Sequence, residues 1–130
     1  MIGNNYLLDT GIVIEVFNGN KNIANKVNHL SQFYITSVVL GELYVGIHRV
    51  SNKDKHYKKL IDFLQLCAVL EVDNTTAEHY GEIVTTLYKK GKPIPTNDIW
   101  IAASAIQYNL TLAARDKHFD NIDGLKIEMW

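Results

Sequence analysis

The sequence predicts an α/β fold with three layers, in which a mostly parallel central sheet is flanked by helices. Short apolar and partly β-branched runs, typical of buried strands, alternate with stretches whose apolar residues recur at helical spacing. A carboxylate, Asp9, directly follows the first of these runs, and ligand sites of open parallel sheets lie just past the carboxyl ends of the strands. The first strand and first helix therefore define where function is expected.

Five strands and six helices are predicted in alternation along the chain. The strands are expected at residues 5–8, 33–36, 69–72, 110–114 and 126–129. The helices are expected at 11–17, from a cap at Asn20 through position 30, from a cap at Ser37 through position 47, at 51–66, from a cap at Thr75 through position 88, and from a cap at Thr96 or Asn97. In the fifth helix, Thr75 and Glu78 match the spacing of a capping box.

Four carboxylates occupy comparable positions in this pattern. Asp9 and Asp116 follow predicted strands, whereas Glu42 and Asp98 lie early in helices that follow strands or loops. Because right-handed crossovers place the carboxyl ends of parallel strands on one side of a sheet, we expect all four in one pocket. Three of them have a simpler interpretation: Asp9 as a helix cap, Asp98 as a helix-dipole partner and Glu42 as an exposed side chain.

Glu42 has apolar or small neighbours one helical turn away, which indicates a carboxylate at the edge of a packed surface. The same predicted helix contains Gly41 and Gly46. Each glycine costs about 1 kcal/mol relative to alanine inside a helix. We therefore expect another backbone to approach this helix closely.

Composition limits the possible classes of protein. The chain has 130 residues, 47% of them hydrophobic and 21% charged, as expected for one globular domain spanning residues 1–130. A net charge of -1 argues against holding nucleic acid through bulk charge, though not against a local basic patch. The single cysteine, Cys67, fits a reduced compartment. Residues 1–5 lack the pattern of a signal peptide. We therefore expect a cytoplasmic protein without a membrane span.

Carboxylates at short range stay ionised together only when a cation joins them. Oxygen ligands suit Mg²⁺ or Mn²⁺, and the absence of a cysteine cluster or a histidine pair at metal spacing argues against zinc. Such a cation supports phosphodiester hydrolysis by an activated water. Thr10, Thr96 and Asn97 are candidates for positioning the phosphate, and Arg115, Lys117 and His118 for contacting RNA, although capping and surface roles are equally compatible with the sequence.

Four segments in order carry a family resemblance: residues 7–10 (LLDT), 35–43 (ITSVVLGEL), 96–103 (TNDIWIAA) and 110–119 (LTLAARDKHF). Over essentially its whole length the chain resembles the PIN-domain nucleases, and specifically the VapC-like toxins of toxin–antitoxin pairs. The resemblance implies a PIN-like fold, an endoribonuclease dependent on Mg²⁺ or Mn²⁺, a cognate antitoxin, an RNA substrate and a homodimer. It assigns metal binding and catalysis to Asp9, Glu42, Asp98 and Asp116, with Thr10, Asn97 and Arg115 positioning the substrate.

The chain departs from many relatives at two positions near the expected pocket. Gly11 stands where Asn or Ser is common, and Ala114 where Thr or Ser is common. Both changes remove a polar side chain and leave the four carboxylates intact. These two changes therefore put the positioning of water or phosphate in question.

Two other functions share features of this pattern. A PIN scaffold that binds RNA or a regulatory partner without cutting would not need all four carboxylates. A phospho-acceptor receiver domain also has aspartates at strand ends, but it uses an adjacent acidic pair after its first strand, and only Asp9 stands there. The family resemblance implies that the early apolar helices form a groove for the antitoxin, which makes Phe17 and Tyr44 candidate anchors unless they belong to the core.

Overall fold

A five-stranded parallel sheet lies at the centre of the protein, whose computed structural model describes residues 5–130. Every strand pairing within these residues is parallel, and helices flank the sheet, so the predicted α/β fold is confirmed. The expectation about a signal peptide concerns residues 1–5, of which residues 1–4 lie outside the described part. The strands are β1 (Tyr6–Leu8), β2 (Phe33–Thr36), β3 (Ala68–Leu70), β4 (Thr111–Ala114) and β5 (Ile127–Met129).

The order of the strands across the sheet is β3-β2-β1-β4-β5. From β1 the chain builds outwards to one side through β2 and β3, and then returns to the other side of β1 to add β4 and β5. The direction of winding therefore reverses between β1 and β4, which is where parallel sheets open a crevice for ligands. The backbone N–H of Asp9 donates to the carbonyl oxygen of Ala113 at 3.0 Å, which joins the ends of these two strands.

Six α-helices lie between the strands in the described part of the chain, close to the predicted positions. They are α1 (Thr10–Phe17), α2 (Lys21–Asn28), α3 (Ser37–His48), α4 (Lys53–Leu64), α5 (Asn74–Lys90) and α6 (Thr96–Gln107). The predicted cap of α2 is confirmed, since the Asn20 side chain accepts a hydrogen bond from the backbone N–H of Ile23. A short 3₁₀ helix, Lys117–Asn121, follows β4 and was not predicted.

Three predicted helix caps are wrong by one or two residues. Thr36, still extended at the end of β2, caps α3 by accepting from the backbone N–H of Val39 at 3.1 Å, so Ser37 is already helical. Asp73 rather than Thr75 caps α5, because a carboxylate at that position forms a reciprocal capping box with Thr76. Pro95 occupies the cap position of α6 without a side-chain bond, which places Thr96 and Asn97 inside the helix.

The core lies on both faces of the sheet and contains the central strands almost completely. Its largest fully buried side chains are Phe119, Leu7, Leu8, Ile12, Ile23, Ile35, Leu60, Leu87, Ile101, Leu112, Val13 and Val39. The alanines that follow Asp98 on α6 are fully buried, so α6 packs closely and fixes its first turn against the sheet. No helix in residues 5–130 is long and apolar enough to cross a bilayer.

The expectation for the two glycines of α3 is wrong. A Cβ atom built at Gly41 or Gly46 would have no atom within 4 Å apart from the helix itself and its neighbours, so no other backbone packs there. Close internal packing therefore does not explain either glycine. The surface above them is open.

Candidate active site

Asp9 lies at the centre of the sheet edge where ligands are expected. It occupies the cap position of α1, but its side chain makes no capping hydrogen bond, so the capping interpretation does not account for it. The residue is only 8% exposed. The pKa of Asp9 is raised to about 6, mainly by burial and further by the charges of Asp98 and Glu42, while the backbone N–H of Thr10 and the charge of His118 partly offset the rise.

Glu42 reaches this region from α3. Its Oε1 accepts a hydrogen bond from the Thr10 hydroxyl at 2.6 Å, which links the first turn of α1 to the middle of α3. The Glu42 side chain is half-buried. Thr10, predicted to position substrate, is thus a direct partner of Glu42 in this structure.

Asp98 and Asp116 face each other across one imidazole. Asp98 lies in the first turn of α6, and Asp116 caps the 3₁₀ helix by accepting from the backbone N–H of His118 at 3.1 Å. His118 Nε2 lies 2.5 Å from Asp98 Oδ2, and His118 Nδ1 lies 2.8 Å from Asp116 Oδ1. The three side chains therefore form one connected unit.

The four carboxylates act on one another electrostatically. Burial raises the pKa of Asp98, the His118 imidazole partly offsets that rise, and the charges of Glu42 and Asp116 add to it. Together with the influence of Glu42 and Asp98 on Asp9, these effects connect all four residues. The structure thus brings together the set predicted from the sequence, which we call the acidic quartet: Asp9, Glu42, Asp98 and Asp116.

Among the described residues, no lysine or arginine forms a salt bridge with the acidic quartet. Lys90 pairs instead with Asp123, and Lys58 with Asp62. As the side chains stand, residues 5–130 contain no group of three or more histidine, cysteine, aspartate or glutamate side chains arranged to hold an ion. A shared ion would therefore require some of these side chains to turn, and metal binding by the acidic quartet stays a prediction.

The donor set nevertheless fits a hard divalent cation. It consists of carboxylates, with the Thr10 hydroxyl bound to one of them, and no thiolate lies among them. Burial, and after it repulsion between these carboxylates, raises the pKa of two members. A cation that drew the carboxylates together would relieve that repulsion.

The other residues predicted to position substrate lie at the surface. Asn97 is exposed in the first turn of α6. Arg115 is also exposed, and its Nη1 donates to the carbonyl oxygen of Trp130 at 3.1 Å. His118 contacts two carboxylates, which the sequence analysis did not predict, and its proposed contact with RNA stays a prediction. The available signal was its position two residues after Asp116.

The two departures from many relatives differ in surroundings. Ala114 is fully buried at the end of β4. A Cβ atom at Gly11 would meet nothing within 4 Å, so the first turn of α1 leaves open space beside the acidic quartet.

An apolar groove of about 310 Å³ runs between α1, α3 and α4 and reaches the acidic quartet through Glu42. Ile14 is 43% exposed in it, and Phe17 packs edge-on against Phe63 with 5.5 Å between ring centroids. Its lining residues are Ile14, Phe17, Asn18, Glu42, Leu43, Gly46, Ile47, Val50, His56 and Lys59. A second cavity of about 240 Å³ lies against α5 and residues 121–124 and includes none of the acidic quartet.

Known proteins resemble this chain along nearly its whole length. Residues 6–125 match the PIN domain family. The ribonuclease VapC2 of Rickettsia felis is 33% identical over 133 residues, with 96% of this chain and 97% of the relative covered. The ribonuclease VapC2 of Haemophilus influenzae is 32% identical over 128 residues, with the same two coverages of 96% and 97%.

Solved structures show the same fold. The crystal structure of VapBC2 from Rickettsia felis bound to a DNA fragment from their promoter superposes with a TM-score of 0.92 at 32% identity, covering 100% of this chain and 99% of that one. The similarity therefore extends from the sheet to every flanking helix in the described part of the chain.

Proposed function

Because this chain belongs to the PIN domain family, among its VapC-like members, we propose that it is an endoribonuclease dependent on Mg²⁺ or Mn²⁺ and the toxin of a toxin–antitoxin pair. The observation that carries the proposal is the acidic quartet: four carboxylates from separate elements at the switch point of the sheet, without a lysine or arginine partner among the described residues. In this proposal the whole chain, residues 1–130, acts as one cytoplasmic PIN domain.

The roles proposed for the chain's own residues follow from their positions. Asp9, Asp98 and Asp116 hold the cation with Glu42, and the Thr10 hydroxyl keeps the Glu42 carboxylate turned towards α1. When bound, the cation supplies an activated water and neutralises charge during in-line displacement at phosphorus. Thr10, Asn97 and Arg115 are proposed to position the RNA backbone around the pocket.

The raised pKa of Asp9 supports a site completed by a cation. When no cation is bound, this buried carboxyl keeps its proton up to a pH of about 6, although the charge of His118 lowers its pKa. A divalent cation favours the ionised form, so binding of the cation releases that proton. Asp9 is the carboxylate whose ionised form is least stable without a cation. It is therefore the one that a bound cation stabilises most.

The apolar groove supports the proposed antitoxin partner. The relatives of known structure include toxins solved in VapBC complexes, and in this chain an exposed apolar groove adjoins Glu42. We propose that an apolar segment of the cognate antitoxin occupies the groove between α1, α3 and α4. A basic side chain of that segment would compete with the cation by pairing with the acidic quartet.

Cleavage of mixed RNA by the purified protein tests the enzymatic proposal. We expect cleavage with Mg²⁺ or Mn²⁺, loss of cleavage in EDTA, and recovery when the cation is restored in excess. Cleavage that persists in EDTA would contradict the dependence on metal. If the protein binds RNA but cleaves it in none of these conditions, the result would favour the non-cleaving scaffold instead.

A further inference from the structure

His118 connects two members of the acidic quartet through both nitrogens of its ring. Nε2 lies 2.5 Å from an oxygen of Asp98, and Nδ1 lies 2.8 Å from an oxygen of Asp116. The imidazole is 26% exposed and Asp98 is 18% exposed, so neither is a freely moving surface side chain. The contact joins the first turn of α6 to the 3₁₀ helix, two elements that are distant in sequence.

The bridge uses only one oxygen of each carboxylate. His118 contacts Oδ2 of Asp98 and Oδ1 of Asp116, and the backbone N–H of His118 adds a second contact to that same Asp116 oxygen. Within residues 5–130, no hydrogen bond reaches Asp98 Oδ1 or Asp116 Oδ2. Each carboxylate is therefore held at one oxygen and has its other oxygen available.

This geometry matches the way proteins orient the carboxylates that bind metals. Groups outside the coordination sphere commonly hold a ligand through a hydrogen bond and fix the direction of the atom that binds. Asp116 has particular need of such a partner, because its side chain is 58% exposed and only a short 3₁₀ helix follows it. Asp98 and Asp116 also repel each other, which favours their separation in the absence of a bridge.

We propose that His118 is a positioning residue that holds Asp98 and Asp116 side by side through one oxygen of each and leaves the other oxygen of each free to bind the cation. The inference rests on the proposed metal-dependent function and adds a residue outside the acidic quartet to it. His118 does not touch the reacting atoms in this account; it acts through the two aspartates.

Calorimetric titration of Mn²⁺ into the native protein and into His118→Ala tests this role without measuring activity. Removal of an outer-shell partner typically weakens metal binding by about 10–100-fold, so we expect the Kd for Mn²⁺ to rise at least tenfold. His118→Gln, which retains an amide donor, should give an intermediate Kd. If His118→Ala does not fold, the Kd of His118→Gln for Mn²⁺ provides the test.

His79→Ala is the matched control. His79 is a half-buried histidine of α5 that lines the cavity away from the acidic quartet, so its loss should leave the Kd for Mn²⁺ unchanged. Circular dichroism in EDTA establishes that each variant is folded at the titration temperature. A purely structural role of His118 would lower the unfolding midpoint without changing the Kd of the folded protein.

The outcomes separate this inference from the proposed function. A native protein that does not bind Mn²⁺ would overturn the metal site itself, and the role of His118 with it. Native binding with an unchanged Kd in His118→Ala would overturn only the positioning role. Tighter binding in His118→Ala would also overturn it, because the imidazole would then compete with the cation for the two aspartates.

Discussion

At the scale of single residues, the surroundings of Asp9 disfavour the ionised form of its carboxyl group. The carboxylate is almost fully buried, and two other members of the acidic quartet raise its pKa further. A folded state that binds this proton more tightly than the unfolded state is stabilised at low pH and loses that stabilisation as pH rises. The ionisation of Asp9 should therefore be measurable in the pH dependence of the stability of the metal-free protein.

Asp9→Asn should become more stable relative to the native protein as pH rises. The pKa of Asp9 rises from 3.8 to about 6 on folding, so its contribution is fully present below pH 3.8 and is lost as pH rises through about 6. Two pKa units correspond to about 3 kcal/mol, which is an upper bound for the change in the stability difference. Urea unfolding in EDTA at pH 4 and pH 7.5 measures it.

Asp62→Asn serves as the control, because Asp62 is exposed and pairs only with Lys58 one turn away on α4. Its stability difference from the native protein should change little between the two pH values. A difference for Asp9→Asn that is equally independent of pH would show that burial does not hold the proton on Asp9.

The sequence was sufficient to locate the acidic quartet but not the contacts that orient it. Asp9 and Asp116 were predictable because each closely follows a strand, and strand ends converge in a parallel sheet. The bridge formed by His118 was not predictable, because it depends on an unpredicted 3₁₀ helix that directs the ring back towards α6. Sequence spacing also could not show that Arg115 bonds to the backbone of Trp130.

At the scale of elements, the start of α3 determines where Glu42 lies. Thr36 is fully buried at the end of β2 and caps α3 with its hydroxyl. Thr36→Val keeps the shape of the side chain but leaves the N–H of Val39 without its partner. We expect the free energy of unfolding to fall by about 1–2 kcal/mol in urea titrations, as is usual for loss of a helix cap.

Ser37→Ala tests which residue caps α3, because the structure assigns the cap to Thr36 and the sequence alone predicted Ser37. Because Ser37 is already helical, its substitution should change stability by much less than Thr36→Val does. The reverse ranking of the two variants would restore Ser37 as the cap. The error arose because Thr36 and Ser37 are both good caps, and only the backbone angles distinguish them.

The apolar groove between α1, α3 and α4 should determine binding of the antitoxin. Ile14 is 43% exposed in the groove, so Ile14→Glu should fold normally yet place a carboxylate against an apolar partner, close to the acidic quartet. Co-purification with the product of the neighbouring gene should decrease at least tenfold. We choose Ile14 because Phe17 packs against Phe63 and its loss would disturb the core.

Ile61→Glu is the matched control for the groove. Ile61 is 56% exposed on α4 and does not line the groove, so the same substitution there should leave co-purification unchanged. Equal loss in both variants would mean that added negative charge, and not the groove, determines capture. Retention of the partner by Ile14→Glu would contradict the proposed docking site.

At the scale of the whole molecule, the family resemblance predicts a homodimer, and the residues that would be tested first are the exposed apolar side chains of the helices. Tyr44 and Val45 on α3 are 37% and 55% exposed, and Tyr88 on α5 is 74% exposed. Sedimentation equilibrium of the protein without antitoxin should give the mass of two chains at micromolar concentration. A single species with the mass of one chain throughout that range would contradict this prediction.

The central claim is that the acidic quartet hydrolyses RNA with a divalent cation, and single-turnover RNA cleavage in Mg²⁺ tests it most directly. Asp98→Asn keeps the size of the side chain and removes one charge from the crowded site, so the fold should persist. Its cleavage rate should fall by at least about a hundredfold, beyond the usual effect of losing an outer-shell partner. Asp62→Asn should cleave at the native rate, whereas a native rate in folded Asp98→Asn would contradict the claim.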